Sequence, residues 1–195
     1  MKILKTDCLS DGFRMPGEFE KQDGCLMIYP WRPGSWNYNA KYARDVFVQI
    51  AHILAAYEDV YMIVRPEDMK EAITRLDHPY IHIIEASSDD AWARDTGPTF
   101  VVNDKGERRG INWEFNAWGG SYDGLYSHWE NDQVIPSLIC ESLGDDLYEA
   151  RPFVLEGGSI HVDGEGTLIT TEECLLSPGR NPTMTRDEIE GKLKQ

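Results

Sequence analysis

Apolar and polar positions follow two different periods along this chain. In residues 42–57 the apolar residues Val46, Ile50, Ile53 and Leu54 recur at helical spacing, which predicts an amphipathic helix. The run Val60-Tyr61-Met62-Ile63-Val64 is strand-like. Pro66 then opens a second helix running to about Leu76, with Glu67 and Asp68 in its first turn, where the helix dipole favours anions. Residues 80–84 are the next strand. Residues 100–102 and 111–115 predict two strands joined by a turn at Asn103-Asp104-Lys105-Gly106. A third helix is expected over 133–143, with Pro136 in its first turn and Gly144 at its end. Residues 159–162 and 167–171 frame another hairpin around Asp163-Gly164-Glu165-Gly166.

Two of these segments resemble each other. Residues 95–101 (DTGPTFV) precede the first hairpin, and residues 156–162 (EGGSIHV) precede the second. Each has a carboxylate, a glycine two residues later, a strand and then a glycine turn. Asp95 and Glu156 are 61 residues apart, with a helix between them. This suggests a repeated strand–strand–helix–strand module, a sign of propeller-like architecture; two chance hairpins are the alternative. Near the end, Thr185 and Glu188 fit a capping box, and Ile189 and Leu193 share one helix face. So short a helix is marginal alone. It must pack against something or fray. A modular chain that stops at Gln195, inside this helix, has the look of a cut one.

Composition narrows the function classes. The 195 residues include 34 acidic and 19 basic side chains, for a net charge of −15. At 41% hydrophobic and 11% aromatic the chain can build a core, so a single domain over 1–195 is expected rather than disorder. The acidic balance argues against a nucleic-acid partner, which needs a basic face. It suits a cationic substrate, although plain solubility is the better explanation of the net charge alone. No apolar run approaches the roughly 18 residues of a membrane span, and residues 1–7 lack the apolar stretch of a signal peptide. Cys8, Cys25, Cys140 and Cys174 form no CxxC pair. A cytoplasmic protein with reduced thiols and no membrane partner is therefore expected.

Candidate chemistry concentrates in a few loops. Residues 89–98 (DDAWARDTGP) gather four ionisable groups around Trp92 and end in Gly-Pro. They form either a binding loop at sheet ends or a salt-bridged turn. Glu156 directly follows the apolar run 153–155, so it must be hydrated, paired or given a charged ligand. Gly157 and Gly158 would let a backbone or a ligand approach closely. His161 and Asp163 share a strand face, but Asp163-Gly164 is a hairpin-turn signal and no further ligand has metal spacing, so both are expected to be structural. Cys174 follows two glutamates, which disfavour a thiolate, and is expected to be buried and inert. The aromatic loops 29–34 and 116–120 either line a pocket for a flat cation or pack locally.

In order, residues 15–20, 89–98, 115–120, 156–167 and 170–182 resemble motifs of the agmatine deiminase family, which belongs to the guanidino-group-modifying enzymes. The resemblance spans nearly the whole chain. It implies an α/β propeller, or pentein, of ββαβ modules around a channel, incomplete in this chain. It also implies hydrolysis of agmatine to N-carbamoylputrescine and ammonia, as in polyamine and putrescine metabolism, with no cofactor and no metal. In that family a cysteine thiolate attacks the guanidinium carbon and a histidine moves the protons. By resemblance Asp95 grips the guanidinium, Glu156 contacts both the guanidinium and the catalytic histidine, and Trp92 lies at the pocket wall. The family's Gly-His-Val-Asp-Asn motif and its late cysteine motif are absent from these residues. The chain therefore resembles the front part of such an enzyme, and alone it is expected to be inactive. Expected partners are agmatine and either a second copy or a complementing C-terminal fragment. The alternatives are a non-catalytic guanidinium- or polyamine-binding or assembly module, and an unrelated hydrolase using Asp95 and Glu156 as acid and base.

Overall fold

A computed structural model describes residues 1–195. The sequence shows no linker, yet the chain gathers into two compact units. Unit 1 comprises residues 1–20 and 94–195, and unit 2 comprises residues 21–93. Unit 1 begins with β1 (Ile3–Leu4). Unit 2 then carries β2 (Gly24–Ile28), α1 (Lys41–Leu54), β3 (Asp59–Val64), α2 (Met69–Arg75) and β4 (Ile81–Glu85). The chain returns to unit 1 in the turn α3 (Ala93–Thr96). It continues through β5 (Thr99–Val102), β6 (Arg108–Glu114), α4 (Gly120–Asp123), α5 (Glu130–Gln133), α6 (Ile135–Leu143) and β7 (Asp146–Val154). Last come β8 (Ile160–Val162), β9 (Leu168–Thr170), α7 (Glu172–Leu175) and α8 (Arg186–Leu193).

In unit 2, β2, β3 and β4 form a parallel sheet with β3 in the centre. A central parallel strand is covered on both faces and so tends to be continuously apolar. In β3, Val60, Met62, Ile63 and Val64 are all fully buried. The period predicted for α1 is present, but its phase differs from the residues that revealed it. Val46 and Ile53 are 51% and 64% exposed. Of the four residues that revealed the period, Leu54 packs on the core; Phe47, Val48 and Ala51 join it, and Ala55 just beyond the helix does the same. Small alanines let the helix approach the sheet, which larger residues at those positions would prevent. The buried side chains here each contribute about 1.5–3 kcal/mol. Arg44 ties the helices together, donating to the Pro30 carbonyl at 2.9 Å and to Asp68 at 2.7 Å.

Unit 1 holds a four-stranded mixed sheet in the order β1-β7-β6-β5 and a separate antiparallel pair, β8 and β9. β5 and β6 form the expected hairpin, and β7 returns parallel to β6 after α6. This is one strand–strand–helix–strand unit of the expected kind. The sheets of the molecule stay separate and none closes on itself; the fold shown is mixed α/β without a closed propeller. α6 begins with Pro136 in its first turn and ends at Gly144 in the left-handed region (φ 77). α8 starts with the expected capping box: Glu188 N–H donates to Thr185 Oγ1 at 3.3 Å and Thr185 N–H to Glu188 Oε2 at 2.7 Å. Its Ile189 is buried with Phe153, Leu155, Ile160 and Leu175, so the helix is packed rather than frayed. No helix is long and apolar enough to cross a membrane.

Two positions in unit 1 make the packing testable. A methyl group added at Gly110 would strike the Cys140 sulfur and lie 3.1 Å from both Leu147 Cδ1 and Pro98 Cβ. Gly110→Ala is expected to cost about 1–3 kcal/mol in urea unfolding, and adding Cys140→Ala should recover part of that loss. Purely additive effects would contradict this. Asn181 is buried, accepts from Val154 N–H at 3.0 Å and donates to the Val154 carbonyl at 3.0 Å. Asn181→Ala leaves both groups unpaired at the end of β7 and should cost about 2–4 kcal/mol by the same measurement.

Candidate functional site

Asp95 and Glu156 come together in unit 1. Asp95 lies in α3, shortly before β5, and Glu156 follows β7, capping a 3-10 turn over Gly157–Ser159. These two strands flank β6, so their neighbouring elements share one region of the sheet. The Gly158 N–H donates to Asp95 Oδ1 at 2.9 Å. A side chain on Gly158 would collide with that same oxygen, and one on Gly157 would collide with the Arg94 carbonyl. The paired glycines thus lay the Glu156 turn flat against the Asp95 turn.

Glu156 is 2% exposed, and its Oε1 accepts from Arg180 Nε at 3.0 Å. A terminal nitrogen of the same guanidinium lies 3.5 Å from Asp123 Oδ1. Burial pushes the Glu156 carboxyl above the ordinary range; the Arg180 charge opposes this, and the nearby Asp95 charge adds to it. Burial likewise raises Asp95, against hydrogen bonds from the Gly158 N–H and the Trp118 side chain. The site therefore contains two carboxyls, each raised chiefly by loss of water.

The loop that brings Trp118 and Asp123 is strained. Ala117, Trp118, Gly119 and Gly120 have φ values of 54, 65, 153 and 55. A non-glycine residue in the left-handed region costs about 1–2 kcal/mol, so Ala117 and Trp118 need compensation. Asn116 supplies part of it, accepting from Gly119 N–H at 3.1 Å and donating to the Gly179 carbonyl at 2.8 Å. Gly179 has no room for a side chain: a Cβ there would lie 2.6 Å from Asp123 Oδ1 and 2.9 Å from Gly119 Cα. The aromatic loop read from the sequence is thus clamped to the turn that carries Arg180. The sequence assigns no role to Arg180 or Asp123, and to Trp118 only a place in the aromatic loop 116–120 that either lines a cation pocket or packs locally. The Gly-Arg-Asn triplet within 170–182 was the available signal for the first.

The stretch 89–98 divides between the units. Trp92 belongs to unit 2, where its ring stacks on Trp36 at 5.6 Å and its N–H donates to Asp90 Oδ2 at 2.9 Å. Asp90 is fully buried and also accepts from the Ser35 hydroxyl, Trp36 Nε1 and Ala91 N–H. Its partners are neutral donors, which sequence spacing does not reveal. Asp163 has its turn role, accepting from the Glu165 and Thr167 backbone N–H groups at 2.8 and 3.0 Å, and His161 is exposed. Cys174 is half-buried rather than buried: it packs at the edge of the cluster of Phe153 and Leu155 and accepts from Thr171 Oγ1 at 3.2 Å. Cys140 lies beneath Gly110, and burial pushes its thiol up to about 12. A groove of about 970 Å³ in unit 1, lined by Phe13, Met15, Trp113, Ile160, Leu168 and Leu193 among others, includes neither Asp95 nor Glu156.

A planar, permanently charged cation matches paired carboxylates of this kind, since its donors are fixed in a fork. Comparison with known proteins adds to this. A protein of Streptococcus mutans named "Putative agmatine deiminase" is 51% identical over 99% of this chain and 53% of its own length. A Photobacterium profundum protein of the same name is 53% identical over 99% of this chain and 53% of its own length. The solved structure titled agmatine deiminase of Enterococcus faecalis catalyzing its reaction is 45% identical, with a TM-score of 0.95 over 99% of this chain and 53% of that one. The chain spans about half the length of the curated relatives it matches. The family model for Porphyromonas-type peptidyl-arginine deiminases matches residues 14–195. With nearly all of its length matched, the chain belongs to the Porphyromonas-type peptidyl-arginine deiminase family.

Proposed function

We propose that this chain carries the guanidinium-gripping part of an agmatine deiminase, an enzyme that hydrolyses agmatine to N-carbamoylputrescine and ammonia. The observation that supports it most is the Gly158–Asp95 bond, which holds the half-buried Asp95 carboxylate beside the turn of the buried Glu156 at adjoining sheet elements. In this reading Asp95 and Glu156 bind the two edges of the substrate guanidinium and fix its plane for attack at the central carbon. Glu156 also meets the group that moves protons. The unit β5–β6–α6–β7 is then one ββαβ module of an α/β propeller. The name of the Enterococcus relative supports the substrate, and the family match supports the reaction class.

The thiols of this chain do not act as the nucleophile in this reading. Burial raises Cys8, Cys25 and Cys140, which leaves each of them protonated near neutral pH. The side chain of Cys174 meets Thr171, not Asp95, Glu156 or Arg180. Hydrolysis therefore needs a thiolate and a proton-transferring base besides the residues described here. A site of two carboxylates holds the cation through charge-assisted hydrogen bonds without forming the amidino intermediate.

Calorimetric titration with agmatine tests the reading. The expected dissociation constant is roughly millimolar or weaker, with a further tenfold loss or more in Asp95→Asn or Glu156→Gln. Binding that is indifferent to both substitutions would overturn it. The pH dependence has a definite sign. Only ionised carboxylates hold the cation, and both groups are raised, so affinity should fall as pH drops through a range above the ordinary carboxylate value of about 4. A folded-state value above the unfolded one means the ionised form costs stability at neutral pH, and that cost is relieved as pH falls. Asp95→Asn should therefore leave stability at pH 7 unchanged or higher while weakening binding. A clear loss of stability there would show that Asp95 is held ionised as a structural group. Ammonia release from agmatine by this chain alone, abolished by Cys174→Ser, would reassign the nucleophile.

A further inference from the structure

A fixed cation beside a carboxylate assigned to bind a cation needs explaining. Arg180 either competes with a guanidinium ligand or prepares Glu156 for one. The geometry separates the two. Arg180 reaches Glu156 through the inner nitrogen, Nε, and touches one oxygen, Oε1, at 3.0 Å. Its outer nitrogen Nη1 lies towards Asp123 Oδ1 at 3.5 Å. The contact is single and side-on, not the two-point fork by which a guanidinium fills a carboxylate. Oε2 receives no donor from another residue.

Arg180 is also enclosed, and the chain on both sides of it is held. Its side chain is 10% exposed. On one side the Gly179 carbonyl accepts from Asn116 at 2.8 Å, and on the other Asn181 is bonded to both backbone groups of Val154 at 3.0 Å. A residue pinned on both flanks makes a poor gate and a good brace. We propose that Arg180 is the positioning residue of the guanidinium site: it holds Glu156 by Oε1, keeps that carboxylate ionised despite burial, and leaves Oε2 to meet the ligand. This rests on the reading of Asp95 and Glu156 given above. The charged groups that act on Glu156 are Arg180 and, on α3, Asp95; Arg94 on α3 acts on Asp95, and Asp123 on α4 lies against Arg180. Of these, Asp95 opposes ionisation of Glu156, and Arg180 is its main support against burial.

The test uses the full chain with carboxyl-13C glutamate, the Glu156 signal being assigned by its loss in Glu156→Gln. The midpoint of Glu156 is followed by NMR in wild type, Arg180→Met and Arg180→Lys, and agmatine is titrated into each. In Arg180→Met the midpoint should rise by about one unit or more, and agmatine affinity should fall several-fold at a pH between the two midpoints. Arg180→Lys restores charge without the planar inner nitrogen. It should return the midpoint most of the way towards wild type while recovering less of the affinity. An unmoved midpoint overturns the proposal, and so does tighter agmatine binding in Arg180→Met, which would make Arg180 a competitor. If Arg180→Met fails to fold, the split between midpoint and affinity in Arg180→Lys decides alone. Wild-type binding that ignores Asp95→Asn would sink the functional reading instead. The midpoint series would still report whether Arg180 sets the charge of Glu156.

Discussion

The site depends on a close approach between two backbone turns. Gly158 gives its N–H to Asp95 where no side chain could stand, and Gly157 rests on the Arg94 carbonyl in the same way. That contact sets how near the two carboxylates lie, and nearness sets their chemistry. Apart, each would be a solvated strand-end charge. Together and short of water, both hold a proton or a cation more readily, through burial in each case and, for Glu156, through the Asp95 charge as well. The rest of the region makes this bearable: the Arg180 charge on Glu156, the Trp118 side chain on Asp95, and Asn181 closing the end of β7.

The strain in residues 117–120 belongs to the same arrangement. Two non-glycine residues sit in the left-handed region so that the loop can turn back on itself beneath Asp95 and beside Gly179. Backbone held in such conformations persists only where its surroundings over-determine it. Asn116 is one such constraint, and the Leu125 N–H bond to the Ala117 carbonyl at 2.9 Å is another. The aromatic ring at 118 is presented because its backbone has few alternatives.

What the sequence made legible was local. The capping box of α8 and the Pro136 and Gly144 limits of α6 are set by neighbours within a turn, and they match the structure. The hairpins at 99–114 and 160–170 carry their own turn residues. β7 was legible only at its last residues, because Glu149, Arg151 and Pro152 interrupt any strand pattern; it is a strand because β1 and β6 supply partners on both sides. In α1 the period was visible but not the phase, since the buried face uses alanines. At the site, Asp95 and Glu156 stood out through adjacent glycines and apolar runs. Arg180 did not, because what gives it meaning is a carboxylate 24 residues away that the chain reaches only by folding. Asp90 was equally silent: nothing in the order of residues separates a carboxylate buried among indoles from its neighbour Asp89.

Unit 2 interrupts unit 1, and this has a consequence for synthesis on the ribosome. β1 pairs with β7 across about 144 residues. At about 5–20 residues per second, roughly 7–30 seconds separate the emergence of the two strands. Hairpins and helices form in microseconds, so the contiguous stretch 21–93 has ample time to fold before β7 exists. β1 is thus made long before its partner, and through that interval its edge groups are open to any passing chain. β1 keeps that hazard small by its length of two residues.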